Sequence, residues 1–260
     1  MRRRLLTGAL YALSLAVGVV ALAYPFLLRA AASEAATAAG PTPLLSVVLV
    51  TLCLAVLLVE LQGQAAGAKT VAALGILVAA TATLRFIEVA IPAPGGFSPV
   101  FAPIILAGYV FGARFGFLLG AMTFFVSGII TAGVGPWLPY QMFTAGWVGL
   151  SAGLLPHWRR PRAEVILLVV FAGLWGFAYG AIMNLYTWPL LVGDPAQSWA
   201  PGAGVADGLR RYLAFYVATS LLWDSVGAAG NVVLLAALGQ PTLRALARFR
   251  DRLQFEVQQA

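Results

Sequence analysis

Charge is scarce in this chain of 260 residues: 10% are Asp, Glu, Lys or Arg, against 61% hydrophobic. An ordinary soluble domain carries about 25% charged residues, so the surface of a soluble protein of this size could not be covered. That shortage excludes a soluble enzyme, a disordered chain and a coiled coil, and calls for a polytopic membrane protein. Dyad alternation is missing as well. The apolar residues come in long continuous runs, which argues against a β-barrel. Cysteine and histidine occur once each, as Cys53 and His157. No intrachain disulfide and no structural Cys/His zinc site can be built. Cys53, in an apolar run, reads as a small helix residue. No GxxxxGK[ST] sequence occurs, so the chain cannot hydrolyse ATP by that route. An Asp-rich metal motif is also lacking, and no internal repeat of the secondary-transporter kind is visible. A lone His157 beside Trp158 and Arg159 argues against a Ser–His protease. Glu88 and Asp224 could in principle form an acid/base pair, but the chain reads as a non-enzyme, and no cofactor is implied.

What is present is a series of eight apolar segments, at about 5–28, 44–61, 70–91, 98–113, 115–134, 138–156, 164–190 and 209–239. A spanning helix needs roughly 20 residues. The fourth segment is short and holds Pro99 and Pro103, so it is the least regular. The seventh and eighth are long and must tilt or project beyond the bilayer. The fold class expected is all-α: a six-helix bundle preceded by a two-helix transmembrane hairpin. The excess of 16 Lys+Arg over 9 Asp+Glu reads as topology rather than as affinity for nucleic acid. With Met1 inside, Arg2, Arg3, Arg4, Lys69, Arg114, Arg159, Arg160, Arg162, Arg244, Arg248, Arg250 and Arg252 are cytoplasmic. Arg29, Arg210 and Arg211 are outside, and Arg85 lies within a span. Twelve against three places both termini inside. Segment one has a basic start, yet its apolar stretch exceeds the roughly 7–15 residues of a signal-peptide core, so it reads as a retained helix.

The chain divides near Gln62–Lys69, a polar, flexible joint. The domains expected are a hairpin over 1–62, a six-span bundle over 63–240 and a basic cytoplasmic tail over 241–260. Within the bundle, Ala72, Gly75, Ala79 and Ala82 fall on one helix face. A face of small residues admits close approach of another helix, either from a separate subunit or from within the chain. Arg85 and Glu88, at i and i+3, can pair along the same helix; intramembrane charges are costly and usually functional, the bland reading being a snorkelling pair. Pro92, Pro94, Gly95, Gly96 and Pro99 make an irregular loop with Phe97 as its one large central side chain. That loop is either a cover over a pocket or a plain connection. Gly116, Gly120, Thr123, Ser127 and Thr131 share a small, weakly polar face that suits packing.

Trp137, Tyr140 and Gln141, between Pro136 and the following helix, combine flat rings with hydrogen-bonding groups, a mixture that suits a planar polar ligand. An interfacial aromatic belt is the alternative. Asn184 lies inside segment seven with Tyr186 and Trp188 following, and Gly173, Gly176 and Gly180 share its face. Tyr216, Ser220, Asp224 and Asn231 share a face of segment eight. Asp224 sits near mid-membrane, where a carboxylate must be paired, protonated or ligand-facing, and Arg85 is the only intramembrane cation available to it. If the six spans close into one bundle, Arg85, Glu88, Tyr140, Gln141, Asn184, Tyr186 and Asp224 can converge on one outward-facing pocket.

Several stretches together carry a resemblance over about two thirds of the chain. They are Gly95-Gly-Phe-Ser-Pro99, Gly108-Tyr-Val-Phe-Gly112, Phe115-Gly-Phe-Leu-Leu-Gly120 and Gly135-Pro-Trp-Leu-Pro-Tyr-Gln-Met142, the last followed by Gly146-Trp-Val-Gly149 and Gly153-Leu-Leu-Pro156. Positions 69–239 resemble the substrate-binding S component of an energy-coupling factor (ECF) vitamin transporter. The resemblance implies a multi-pass protein of a prokaryotic plasma membrane that captures a vitamin or precursor at the outer face. A transmembrane T component and two ABC-type ATPases would then drive uptake. It implies a T-component contact at Ala72, Gly75 and Ala79, and toppling of the bundle among membrane lipids to release the ligand. The GPW-x-P-x-QM and Asn184-Leu-Tyr-Thr-Trp188 stretches look most like S components assigned to cobalamin, with thiamine precursors, riboflavin and queuosine precursors also open. The additional hairpin departs from the family's six-span core. A scaffold or assembly protein, and less so an integral membrane enzyme, are the alternatives.

Overall fold

A computed structural model describes residues 16, 18–20, 22, 23, 26, 68–91, 97–158, 160–191, 193–200 and 203–253. Segment two, Cys53, the joint at 62–67 and residues 92–96 lie outside the described residues. The described chain forms seven α-helices: α1 (Ala68–Ala90), α2 (Phe101–Phe111), α3 (Ala113–Ile130), α4 (Leu138–Ala152), α5 (Pro161–Thr187), α6 (Val205–Thr219) and α7 (Leu221–Leu253). A single 3-10 turn, Trp188–Leu190, extends α5. Four helices (α1, α3, α5 and α7) are long and apolar enough to cross a membrane.

The short fourth segment turns out to be the centre of the molecule. α2 is apolar all round, and nine of its 11 residues are buried, as a helix without a polar face must be. Pro161 opens α5 and Pro139 lies in the first turn of α4, where proline's missing N–H costs nothing. Gly112, at φ +95°, is the one-residue joint that lets α2 turn into α3, a conformation that only glycine adopts without strain.

Glycine also sets how the helices lock together. A Cβ on Gly116 would collide with the carbonyl of Gly149, and one on Gly149 with the carbonyl of Gly116. Gly120 lies equally close to the carbonyl of Ala145, and Gly108 to that of Gly149. α3 and α4 therefore meet backbone to backbone, which is how helices associate when lipid supplies no hydrophobic drive. The weakly polar face of α3 serves this packing: Thr123 and Ser127 are buried. α5 and α7 form the second close pair, with the Cβ position of Gly176 only 2.6 Å from the Cα of Ala228.

Segment eight differs from the single long span expected. It breaks at Ser220 (φ −127°, ψ −28°) into α6 and α7. Thr219 Oγ1 bonds back to the Phe215 carbonyl at 2.8 Å and lies 3.0 Å from Ser220 Oγ. The backbone ladder carries across the break, with Ser220 N–H donating to the Tyr216 carbonyl and Asp224 N–H to the Ser220 carbonyl, each at 2.9 Å. α7 then runs through Pro241 to Leu253, so residue 240 falls inside a helix. Its end is docked: Arg250 donates to the Val110 carbonyl at 3.2 Å, and Phe249 meets Phe111 edge-on at 6.3 Å. His157 is used structurally nearby, its Nε2 2.9 Å from the Tyr109 carbonyl and its ring stacked on Tyr109 at 4.3 Å.

The described residues of segment one pack on the bundle. A Cβ on Gly18 would lie 2.7 Å from the Trp147 ring, Leu22 belongs to the main core, and Phe26 lies 5.8 Å from Trp188 and 6.2 Å from Tyr212. Trp188 is fully buried in that cluster and donates to the Gln197 carbonyl at 2.7 Å.

A polar cavity between five helices

A cavity of about 300 Å³ opens between α1, α3, α4, α5 and α7. It lies at the end of the bundle away from the arginine-bearing end of α7. α1 contributes Arg85 and Glu88, the turn before α2 contributes Ser98, α4 contributes Gln141, α5 contributes Tyr179 and Asn184, and α7 contributes Asp224 and Asn231. Phe101 and Phe124 make its apolar side. Five of the residues singled out from sequence are thus brought together: Arg85, Glu88, Gln141, Asn184 and Asp224.

The charges are arranged unequally. Arg85 Nη1 lies 3.7 Å from Glu88 Oε1, and its guanidinium sits 4.5 Å from the centroid of the Phe124 ring, a cation–π contact. Ser98 Oγ donates to Glu88 Oε2 at 2.5 Å. Arg85 therefore serves Glu88 rather than Asp224, because the two share a helix face three residues apart. The Asp224 carboxylate is lodged against Gly180, where a Cβ would overlap both of its oxygens. Its Oδ2 is buried without a hydrogen-bond partner. The Tyr216 hydroxyl stands near but forms no hydrogen bond of acceptable geometry.

Four further sequence candidates stand outside the lining. Phe97, half-buried, packs against Gly230. Trp137 is 43% exposed and its Nε1 donates to the Gly133 carbonyl at 3.2 Å. Tyr140 and Tyr186 are buried together, with ring centroids 4.7 Å apart; one residue on from Tyr140, the helix turns Gln141 into the cavity.

Two residues gain importance that sequence reasoning did not assign to the site. The Tyr179 ring packs tilted against Phe101 at 4.6 Å and Phe124 at 5.9 Å, and its buried hydroxyl has no partner. Asn231 is only 3% exposed, with an unpartnered Oδ1. The signal for Asn231 was its spacing, two helical turns after Asp224 on one face. Tyr179 carried none, because a tyrosine in an aromatic-rich span is ordinary.

The small-residue face of α1 divides. Ala72, Gly75 and Ala79 are exposed, whereas Ala82 is buried. Gly75 has nothing within 4 Å of its Cβ position. It lines an apolar groove of about 350 Å³ between α1 and α3, with Leu74, Val78, Leu118 and Met122.

Comparison with curated proteins and with solved structures finds no match. The family model described as "ECF transporter, substrate-specific component" matches residues 69–239, the region that holds α1 to α6, most of α7 and the whole cavity. The match spans well over half of the chain, and the chain belongs to the family of substrate-specific components of ECF transporters.

Proposed function

We propose that this chain captures a vitamin or vitamin precursor at the outer face of a prokaryotic plasma membrane and delivers it for ATP-driven uptake. Its partners in this reading are a transmembrane T component and two ABC-type ATPases. The observation that carries the reading is the cavity, where buried polar groups lack hydrogen-bond partners. Buried polar atoms are almost always satisfied in native structures, so a site that leaves several open is built for a guest. Arg85, Glu88, Gln141, Asn184 and Asp224 contact the ligand. Phe97, Trp137, Tyr140 and Tyr186 support the wall and the approach to it. Both termini lie inside, as the arginine distribution requires. The T component docks on Ala72, Gly75 and Ala79, where an exposed stripe free of side-chain bulk admits a second helix.

Cobalamin is the first ligand to titrate, on the strength of the Gly135–Met142 stretch. A cavity of about 300 Å³ is at the lower end of the roughly 300–1,000 Å³ of small-molecule sites. It would hold one small ring system, or one edge of a larger macrocycle. Native mass spectrometry of the detergent-purified chain, with cobalamin and then a vitamin panel, tests the proposal. A retained or tightly bound vitamin is expected. No binding across the panel by a well-folded chain would refute it.

A further inference from the structure

The charge balance of the cavity narrows what can occupy it, on the reading that the cavity holds the transported molecule. Among the described residues its lining carries one cation, Arg85, and two carboxyl groups, Glu88 and Asp224. Arg85 is committed to Glu88 and to the Phe124 ring, and Glu88 has Ser98 as well. Asp224 is left without a cation, with the Tyr216 hydroxyl near it. Its carboxylate is held in place, since it fills the gap at Gly180, and the close contact of Gly176 with Ala228 keeps α5 and α7 together.

Three buried oxygens of the lining have no hydrogen-bond partner: Asp224 Oδ2, Asn231 Oδ1 and the Tyr179 hydroxyl. Two of them only accept, and the third can accept as well as donate. An unsatisfied buried acceptor is costly, and a carboxylate at membrane depth more so. What these three oxygens lack is therefore donors, and Asp224 lacks positive charge opposite it. The Tyr179 ring, packed on Phe101 and Phe124, adds aromatic surface beside these acceptors. Gly227, three residues after Asp224 on α7, leaves that wall bare, with nothing within 4 Å of its Cβ position.

We propose that the cavity selects a planar ring system bearing a cationic, N–H-donating nitrogen group, such as an amidine or a protonated amine. The nitrogen group meets Asp224 and Asn231, and the ring lies beside Tyr179. A carboxylate or phosphate in the same place meets an excess of negative charge, because Arg85 is already engaged.

The test uses three aromatic probes of one shape and different charge: naphthamidine (cationic), naphthamide (neutral) and naphthoate (anionic). Each is titrated calorimetrically into the full chain in lipid nanodiscs. Naphthamidine is expected to bind at least about 10-fold tighter than naphthoate, as a charge-assisted pair in a desolvated site warrants. Asp224→Asn should cost the amidine at least about 10-fold while moving the amide little. Equal affinities, the reverse order, or binding of none of the three would overturn the charge assignment. Should Asp224→Asn fail to fold, the wild-type ranking alone decides. Failure of the underlying reading looks different. In that case no vitamin is retained in native mass spectrometry, or Gly227→Met, which fills the open wall, leaves retention unchanged.

Discussion

Gly180→Ala adds one methyl group at the place where the cavity's carboxylate is seated. The new Cβ would overlap both oxygens and the Cγ of Asp224. Two responses are open. The carboxylate can rotate away into the cavity, or α5 and α7 can separate. Separation is resisted one turn away, where the Cβ position of Gly176 is 2.6 Å from the Cα of Ala228. Overpacking of this kind costs roughly 1–3 kcal/mol, partly offset by up to about 1 kcal/mol of helix propensity gained on replacing glycine with alanine. A net loss of about 1–2 kcal/mol lowers Tm by several degrees, at roughly 2–4 °C per kcal/mol for 150–250 residues. If the carboxylate rotates instead, stability holds but one charged hydrogen bond to the ligand is lost, worth about 1.5–3 kcal/mol, or about 10- to 150-fold in Kd. Gly227→Ala is the control: it lies in the same wall but meets open space, so it should lose no stability. Thermal unfolding and ligand titration on both variants in one detergent give the answer. A Gly180→Ala protein with wild-type Tm and wild-type affinity would refute the placement of Asp224.

Gly149→Leu should prevent assembly of the bundle, because the side chain would enter the backbone of Gly116; loss of monodisperse protein on gel filtration checks this. Gly75→Trp should abolish uptake by the assembled transporter yet leave ligand affinity and Tm near wild type, since its Cβ position is open; lost binding would contradict a docking role. Gln141→Ala should weaken ligand binding more than Trp137→Ala, because Gln141 lines the cavity while Trp137 folds back on Gly133. Arg85→Met should lower both Tm and affinity by taking the cation away from Glu88, which keeps its hydrogen bond from Ser98. Removing one member of a buried pair costs about 3–5 kcal/mol, and less here because the two side chains are 20% and 18% exposed.

Much of the site was legible because charge is so rare in the chain. When few ionisable residues lie inside apolar runs, each is conspicuous, and Arg85, Glu88 and Asp224 were found that way. The i, i+3 spacing of Arg85 and Glu88 also foretold their contact. Aromatic residues were harder to place from sequence, because the chain has many and their positions depend on which way a helix is turned. Tyr140, Tyr186 and Trp188 face buried neighbours, while Tyr179 faces the cavity. Nor could an apolar run show that its helix would stop: segment eight ends one helix and begins another at Ser220.

By itself the sequence determined the solvent and the building material. Long apolar runs with few charges require a bilayer, and a chain in a bilayer must satisfy its backbone internally, which runs of this length do as helices. It also determined which residues are too costly to be idle there. Only the tertiary structure decided which of them meet. Helix rotation is set by contacts such as Gly116 with Gly149 and Gly180 with Asp224, between residues more than thirty positions apart. No local periodicity records those pairings, so the convergence of Arg85, Gln141, Asn184, Asp224 and Asn231 on one cavity exists only once the helices have packed.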